Sequence, residues 1–439
     1  MTEASHDLDN DKVRDGCTMT ADAPGAEVAA SPGFDPARVR ADYPALDDAW
    51  AQLDGAAGTQ VPQSVIDAIT GAYRAGMANV NGVFPASHRI EAIVTEARQA
   101  VADLLGAYAD GVVLGANMTT LTYRFAAALA LDWGPGDEVV VCRLDHDANV
   151  RPWVQVAEHA GATVLWAEVD TPSGELSDDQ FDTLVTDRTR LVAVTAASNV
   201  LGTVPDLPSI ARKVHAHGAL LYVDGVHATP HIPIDISALG ADFFATSAYK
   251  WCGPHVGAVA ASPALLETLR PDKLAPASER VPDKFETGTP PFADLVGVTA
   301  AVDHLAQLDP NAAGTRRERI LASMSAVEDY EQTEFEYLIA GLDAMPHVRL
   351  VGSPRRRTPT AFFTVDGMAP RDVARKLTAH RINIWSGHAY AWEVTGALGI
   401  RDSGGAVRAG LVHYNVRSEV DRLLDVVAGL AGDRSGRHP

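Results

Sequence analysis

The sequence predicts an α/β fold built on a mainly parallel, doubly wound sheet. Seven short runs rich in Val, Leu and Ala recur between residues 111 and 261. Several are apolar throughout, as strands buried on both faces must be. Amphipathic helical patterns lie between them, and β–α alternation implies parallel strands joined by crossover helices. With 439 residues, 46% of them hydrophobic and 21% charged, the chain can build a large core and a second domain.

In chain order, residues 1–33 are polar, acidic and rich in Ala, Gly, Ser and Pro. They have no apolar stretch of signal-peptide type and read as a disordered leader. Phe34–Asp54 reads as a segment that packs with the smaller domain. The strand runs are Gly111–Leu114, Glu138–Leu144, Thr163–Val169, Arg190–Thr195, Ala219–Val223, Phe243–Ala245 and Val256–Ala261. Ile210–His217 is one of the helices between them. From about Pro291 the texture changes. A long charged helix is predicted from Thr315 towards Leu342, then strands Thr360–Val365, Ile382–Trp385 and Ala406–Val412, then a helix from Ser418 to Leu430. The expected division is a large domain over 55–300, a small α+β domain over 301–432 and a tail over 433–439.

Charge and cysteine usage exclude whole classes of function. A formal net charge of -21 argues against a nucleic-acid partner, which needs clustered cations. Cys17, Cys142 and Cys252 are too few and too irregularly placed for a disulfide or zinc framework, so the expected setting is reducing and cytoplasmic. No stretch reads as a membrane span. No metal is expected, since Asp145, His146 and Asp147 alternate in a turn and do not converge on one ion.

Parallel sheets bind ligands beyond the carboxyl ends of their strands, and the candidate chemistry falls there. Asp224 closes the run Ala219–Val223. Lys250 follows the run Phe243–Ala245 after Ser247-Ala248-Tyr249. Either residue alone is ordinary: an aspartate in a turn, a lysine at a surface. Together they match the needs of pyridoxal 5'-phosphate (PLP), a carboxylate for the pyridinium nitrogen and an amine for the Schiff base. Asn117-Met118-Thr119-Thr120 follows another strand and opens a helical segment, where free N–H groups make an anion site.

Seven ordered motifs carry a resemblance: LDGAAGTQVP, LDHDANVRPW, ASNVLGTVP, VDGVHATPH, SAYKWCGP, KFETGTPP and VRAGLVHYN. The chain resembles the class V aminotransferase family, especially its cysteine desulfurases and selenocysteine lyases, from about Leu53 to Leu430. The resemblance implies a fold type I PLP enzyme, with a seven-stranded sheet in the large domain and a smaller C-terminal domain. It implies that Lys250 holds the cofactor and acts as catalytic base and acid. His146 would stack on the pyridine ring and belong with Lys250 to the catalytic pair. Asp224 would meet the ring nitrogen, and His227, in place of a Gln, the 3'-oxygen, with Asn199 near that oxygen and the substrate. Ser247, Thr119 and the adjoining Met118 would hold the phosphate, with Tyr249 standing where a His is common. Thr289 would reach the phosphate across a homodimer interface, and Arg408 would bind an α-carboxylate.

One motif departs from the family. Cysteine desulfurases carry a catalytic cysteine on a loop after Arg-x-Gly-His-His. Here Trp385 stands for the Arg and Tyr390 for the cysteine. A phenol cannot carry away a persulfide, which leaves only Cys252, if it approached the cofactor. The expected activity is therefore a carbon–sulfur β-lyase acting on a cysteine conjugate, in specialised metabolism, with Trp385 and Tyr390 at the pocket entrance. Alternatives are decarboxylation with oxidative deamination, transamination, epimerisation or desulfuration of an amino acid, or a PLP-binding protein without activity.

Overall fold

The computed structural model describes residues 34–46 and 49–431; the leader and the tail lie outside the described residues. Seven strands form the main sheet: β1 (Val112–Gly115), β2 (Glu138–Cys142), β3 (Thr163–Ala167), β4 (Thr189–Thr195), β5 (Leu220–Asp224), β6 (Phe243–Ser247) and β7 (Gly257–Ala261). Their order across the sheet is β1-β7-β6-β5-β4-β2-β3. Strands β3, β2, β4, β5 and β6 pair in parallel, whereas β7 runs antiparallel to both of its neighbours.

The period-2 geometry of a strand explains why the central runs are apolar throughout. On β2 and β4, Val140, Cys142, Val192 and Val194 join the core on one face. Their neighbours Val139, Val141, Leu191 and Ala193 join the core on the other. Helices α1 (Pro85–Leu105) and α2 (Phe292–Leu305) cover the first face.

The smaller C-terminal domain is an antiparallel sheet of β8 (Val348–Leu350), β9 (Thr360–Val365), β10 (Trp385–Gly387) and β11 (Ala406–Gly410), in the order β10-β11-β9-β8. The run Ile382–Trp385, expected as one strand, is two. Ile382–Asn383 pairs in parallel with Ala51–Gln52, and Trp385 opens β10. Hydropathy marks a strand but not its partner, so a change of partner within five residues leaves no trace in the pattern.

Helix α3 (Arg316–Asp343) joins the two parts. Thr315 caps it, and Glu318 returns the bond in a capping box. Ile320, Met324 and Val327 pack on the main core, while Phe335, Leu338 and Leu342 pack with the small sheet. The N-terminal segment is shared in the same way: Phe34, Val39 and Tyr43 join the main core, Ala51 and Leu53 the small one.

Candidate active site

The main sheet places Asp224 at the end of β5 and Ser247 at the end of β6, with Lys250 on the 3-10 turn that follows. Gly225 makes this crowding possible: a Cβ there would fall 1.9 Å from the Phe244 ring. Asn117 caps helix α4 (Met118–Leu129), its side chain accepting from the Thr120 N–H at 2.9 Å. Gly257 on β7 lets that helix start close to the sheet, because a Cβ would fall 2.2 Å from the Asn117 carbonyl carbon.

These elements surround a cavity of about 980 Å³. Lys250, Asp224, His227, His146, Asn199, Ser247, Met118, Thr119, Tyr249, Arg408, Trp385 and Tyr390 all line it. Of the residues singled out in the sequence, Thr289 stands apart. It is exposed and does not line the cavity of the single chain. Arg408 and Trp385 arrive together because they are cross-strand partners on β11 and β10.

Burial sets the electrostatics. Desolvation pushes the Lys250 amine down to about 7, helped by the nearby Arg408 charge and opposed by Asp224 and Asp54. It pushes Asp224 up to about 6, against a bond from the Val226 N–H at 2.9 Å and the Lys250 charge. Burial also lowers Arg408 to about 10, against the raising effect of Asp54 and Tyr249. His146 is driven to about 3 by burial and by the charges of Lys250 and Arg408, so its imidazole is neutral. Its Nδ1 accepts from the Ala148 N–H at 3.1 Å, which leaves the proton on Nε2.

Local contacts orient the rest. The Lys250 ammonium donates to the Ala56 carbonyl. Ser247 Oγ accepts from the Met118 N–H at 3.0 Å. His227 Nε2 is 2.9 Å from Thr360 Oγ1. Arg408 Nη1 donates to the Asn199 carbonyl at 2.9 Å, and Asn199 Nδ2 donates to the Ala389 carbonyl at 2.8 Å.

Neither described cysteine reaches the cavity. Cys142 is buried in β2. Cys252 is buried as well, with its Sγ 3.2 Å from the Tyr43 hydroxyl, which also meets His413 Nε2 at 2.7 Å and His304 Nε2 at 2.8 Å. Cys17 lies outside the described residues.

Several lining residues are not among the sequence candidates: Arg151, Tyr123, His255, His388 and, considered there only as a metal ligand, Asp147. Asp147 and Arg151 form an i, i+4 ion pair at 2.9 Å, a spacing visible in LDHDANVRPW. Asp54 went unremarked as well, although it is the second residue of the LDGAA motif. It is half-buried, with a buried and unpartnered Oδ1, beside the charges of Arg408 and Lys250.

The family model described as Aminotransferase class-V matches residues 51–423. The chain belongs to this family. It is 39% identical over 398 residues to "Uncharacterized protein MT3887" of Mycobacterium tuberculosis, covering 90% of this chain and 99% of that one. It is 33% identical to a probable cysteine desulfurase of Pseudomonas putida, covering 90% and 98% of the two chains. The solved cysteine desulfurase CsdA of Escherichia coli superposes with a TM-score of 0.80 at 29% identity, covering 91% and 98%.

The fold is that of the fold type I PLP enzymes, and the protein is a PLP-dependent enzyme. Its residues fit that cofactor. The cavity presents a buried amine shifted towards neutrality, a buried carboxylate and a helix start cradled by a glycine. Two buried polar atoms there, Asn199 Oδ1 and His227 Nδ1, have no partner among the described residues. No helix among the described residues is long and apolar enough to cross a membrane.

Proposed function

We propose that this enzyme cleaves the carbon–sulfur bond of an S-substituted cysteine by β-elimination. The observation that carries this reading is the makeup of the cavity wall. Tyr390, which by the motif resemblance stands for the desulfurase cysteine, lines the cavity, and no described thiol does. Sulfur then has no nucleophile to receive it. Burial raises the Cys252 thiol to about 11, which also counts against a role as sulfur acceptor.

When bound, PLP supplies an electron sink for the charge left as the α-proton departs. Lys250 would hold the cofactor and, once released by the incoming amine, take that proton. A pKa near 7 suits a group that both accepts and donates at neutral pH. Asp224 would pair with the ring nitrogen. His146 would pack on the ring face, its Nδ1 already occupied by the Ala148 N–H. The unpartnered His227 Nδ1 and Asn199 Oδ1 suit the neighbourhood of the 3'-oxygen and the substrate. Ser247, Thr119 and the Met118 end of helix α4 would hold the phosphate, beside Tyr249.

Arg408 would take the substrate carboxylate in its planar fork. Trp385 and Tyr390 would meet the sulfur substituent. The electron pair from the broken Cα–H bond forms the Cα–Cβ double bond, and the Cβ–S pair leaves as thiolate, which takes a proton. Water converts the released aminoacrylate to pyruvate and ammonia, so no oxidant or reductant is required. We further propose that the enzyme is a homodimer in which Thr289 from a second copy completes the phosphate site. Its exposed position in the single chain supports that reading.

The test is product identification by mass spectrometry, using PLP-loaded protein with cysteine and a panel of S-substituted cysteines. Pyruvate with an equal amount of free thiol is the expected outcome. Alanine from cysteine would point to desulfuration. An aldehyde with carbon dioxide would point to decarboxylation, and either result overturns the elimination.

A further inference from the structure

We propose that Glu393 fixes the aromatic outer wall of the cavity in one position and thereby makes the enzyme selective for cysteines carrying a bulky, aromatic substituent. This inference rests on the amino-acid reading of the same cavity and adds a residue that does not itself line it.

The wall is the segment from Trp385 to Trp392, whose residues 385–390 line the cavity. It is a conformation that needs support. Ala389 and Tyr390 have φ of 47° and 57°, the left-handed region that a residue with a β-carbon enters only at a steric cost. Such backbone persists only where its surroundings over-determine it.

Three sets of contacts do so. Asn199 Nδ2 donates to the Ala389 carbonyl at 2.8 Å, and the Asp147 N–H donates to the Tyr390 carbonyl at 2.8 Å. The third is Glu393, in the first turn of the short helix Trp392–Ala397. Its carboxylate spans two guanidinium groups: Oε1 accepts from Arg151 Nη2 at 2.8 Å, and Oε2 from Arg143 Nη1 at 3.1 Å.

Both arginines are themselves seated. Arg151 opens the helix Arg151–Ala160 and bonds Asp147 at 2.9 Å. Arg143 follows β2, bonds Glu168 at 2.7 Å and lies over the Trp166 ring at 4.6 Å. A single exposed ion pair contributes little. A carboxylate whose side chain is only 16% exposed, shared between two anchored forks, is a geometric clamp.

The clamp acts on the part of the cavity that a substituent would fill. The Tyr390 ring stacks on His146 with centroids 5.5 Å apart and planes 27° from parallel. Trp385 sits opposite Arg408 across the strand pair. With Arg408 taking the carboxylate, the aromatic wall is left to meet the group on sulfur. A fixed aromatic surface binds a flat apolar group without first having to be ordered.

The test compares the wild type with Glu393→Ala and Arg143→Gln, neither residue lining the cavity. In the protein without added cofactor, hydrogen exchange of the 386–392 amides should be at least tenfold faster in both variants. In the PLP-loaded protein, the dissociation constants of S-benzylcysteine and S-methylcysteine are read from the cofactor absorbance. Glu393→Ala should weaken the benzyl compound about tenfold and the methyl compound less than twofold, with kcat for each within about twofold of wild type. Unchanged exchange, equal weakening of both ligands, or a common fall in kcat overturns the proposal. If the wild type binds both compounds but releases no pyruvate, the elimination is wrong, and the exchange rates and the affinity ratio still decide the role of Glu393.

Discussion

Single side chains carry the chemistry, and each bears a cost of burial that can be measured. Asp224 is the clearest case. Its pKa is about 6 in the folded protein against an ordinary 3.8, so the folded state holds a proton between those values that the unfolded state has lost. The contribution of Asp224 to the stability of the cofactor-free protein should therefore fall as pH rises from about 4 to 6, while the buried neutral His146 contributes with the opposite sign over the same range. Asp224→Asn should remove that contribution, so that its melting temperature relative to wild type increases from pH 4 to pH 8, while lowering catalysis at least about 100-fold. Thermal melts of both proteins across pH 4–8 check the sign. Lys250 shifts the opposite way, to about 7 from 10.5, so capture of PLP by the cofactor-free protein should accelerate with pH around a midpoint near 7. A midpoint near 10 in stopped-flow absorbance would refute the environment described here. Arg408→Lys keeps the charge but loses the fork. It should raise KM for the amino acid about 10- to 100-fold, with a smaller effect on cofactor affinity.

At the scale of elements, helix starts and strand ends aim the functional groups. Helix α4 begins against β7 only because residue 257 lacks a side chain, and the neighbour a Cβ would strike is backbone at 2.2 Å, which cannot swing aside. Gly257→Ala should displace that helix start and weaken PLP binding about tenfold or more, read by equilibrium dialysis. By contrast, Thr315→Ala at the capping box of α3 removes one cap far from the cavity. It should cost about 1 kcal/mol in a denaturant titration and leave KM unchanged. The strands and helices of the main sheet were legible in the sequence because burial on both faces forces continuous apolar runs. The strand limits moved by one or two residues, and the helix expected at Ile210–His217 runs from Leu207 to Ala216. The switch at Ile384 between two sheets was not legible, since both partners are supplied from elsewhere in the chain.

For the whole molecule, the proposed division at about residue 300 has to accommodate helix α3, which packs on both cores, and the segment 34–54, which does the same. The proposed dimer predicts a light-scattering mass twice that of the chain. Thr289→Ala should lower PLP affinity several-fold although the residue does not line its own chain's cavity. A monomer that is fully loaded and active would exclude a shared site.

The sequence by itself determined the fold class, the cofactor and the charged and aromatic centre of the cavity lining. PLP chemistry demands an amine and a carboxylate at strand ends, and those demands are local enough to leave motifs. Tertiary structure decided what lies between motifs. It brought Arg408 opposite Trp385, set Asp54 near Lys250, buried Cys252 against Tyr43, and tied the Tyr390 segment to Arg143 and Arg151 through Glu393. Those partners are separated by roughly 20 to 250 positions. Pairing over such spans is fixed by how sheets and helices pack, and periodicity within one segment carries no information about it.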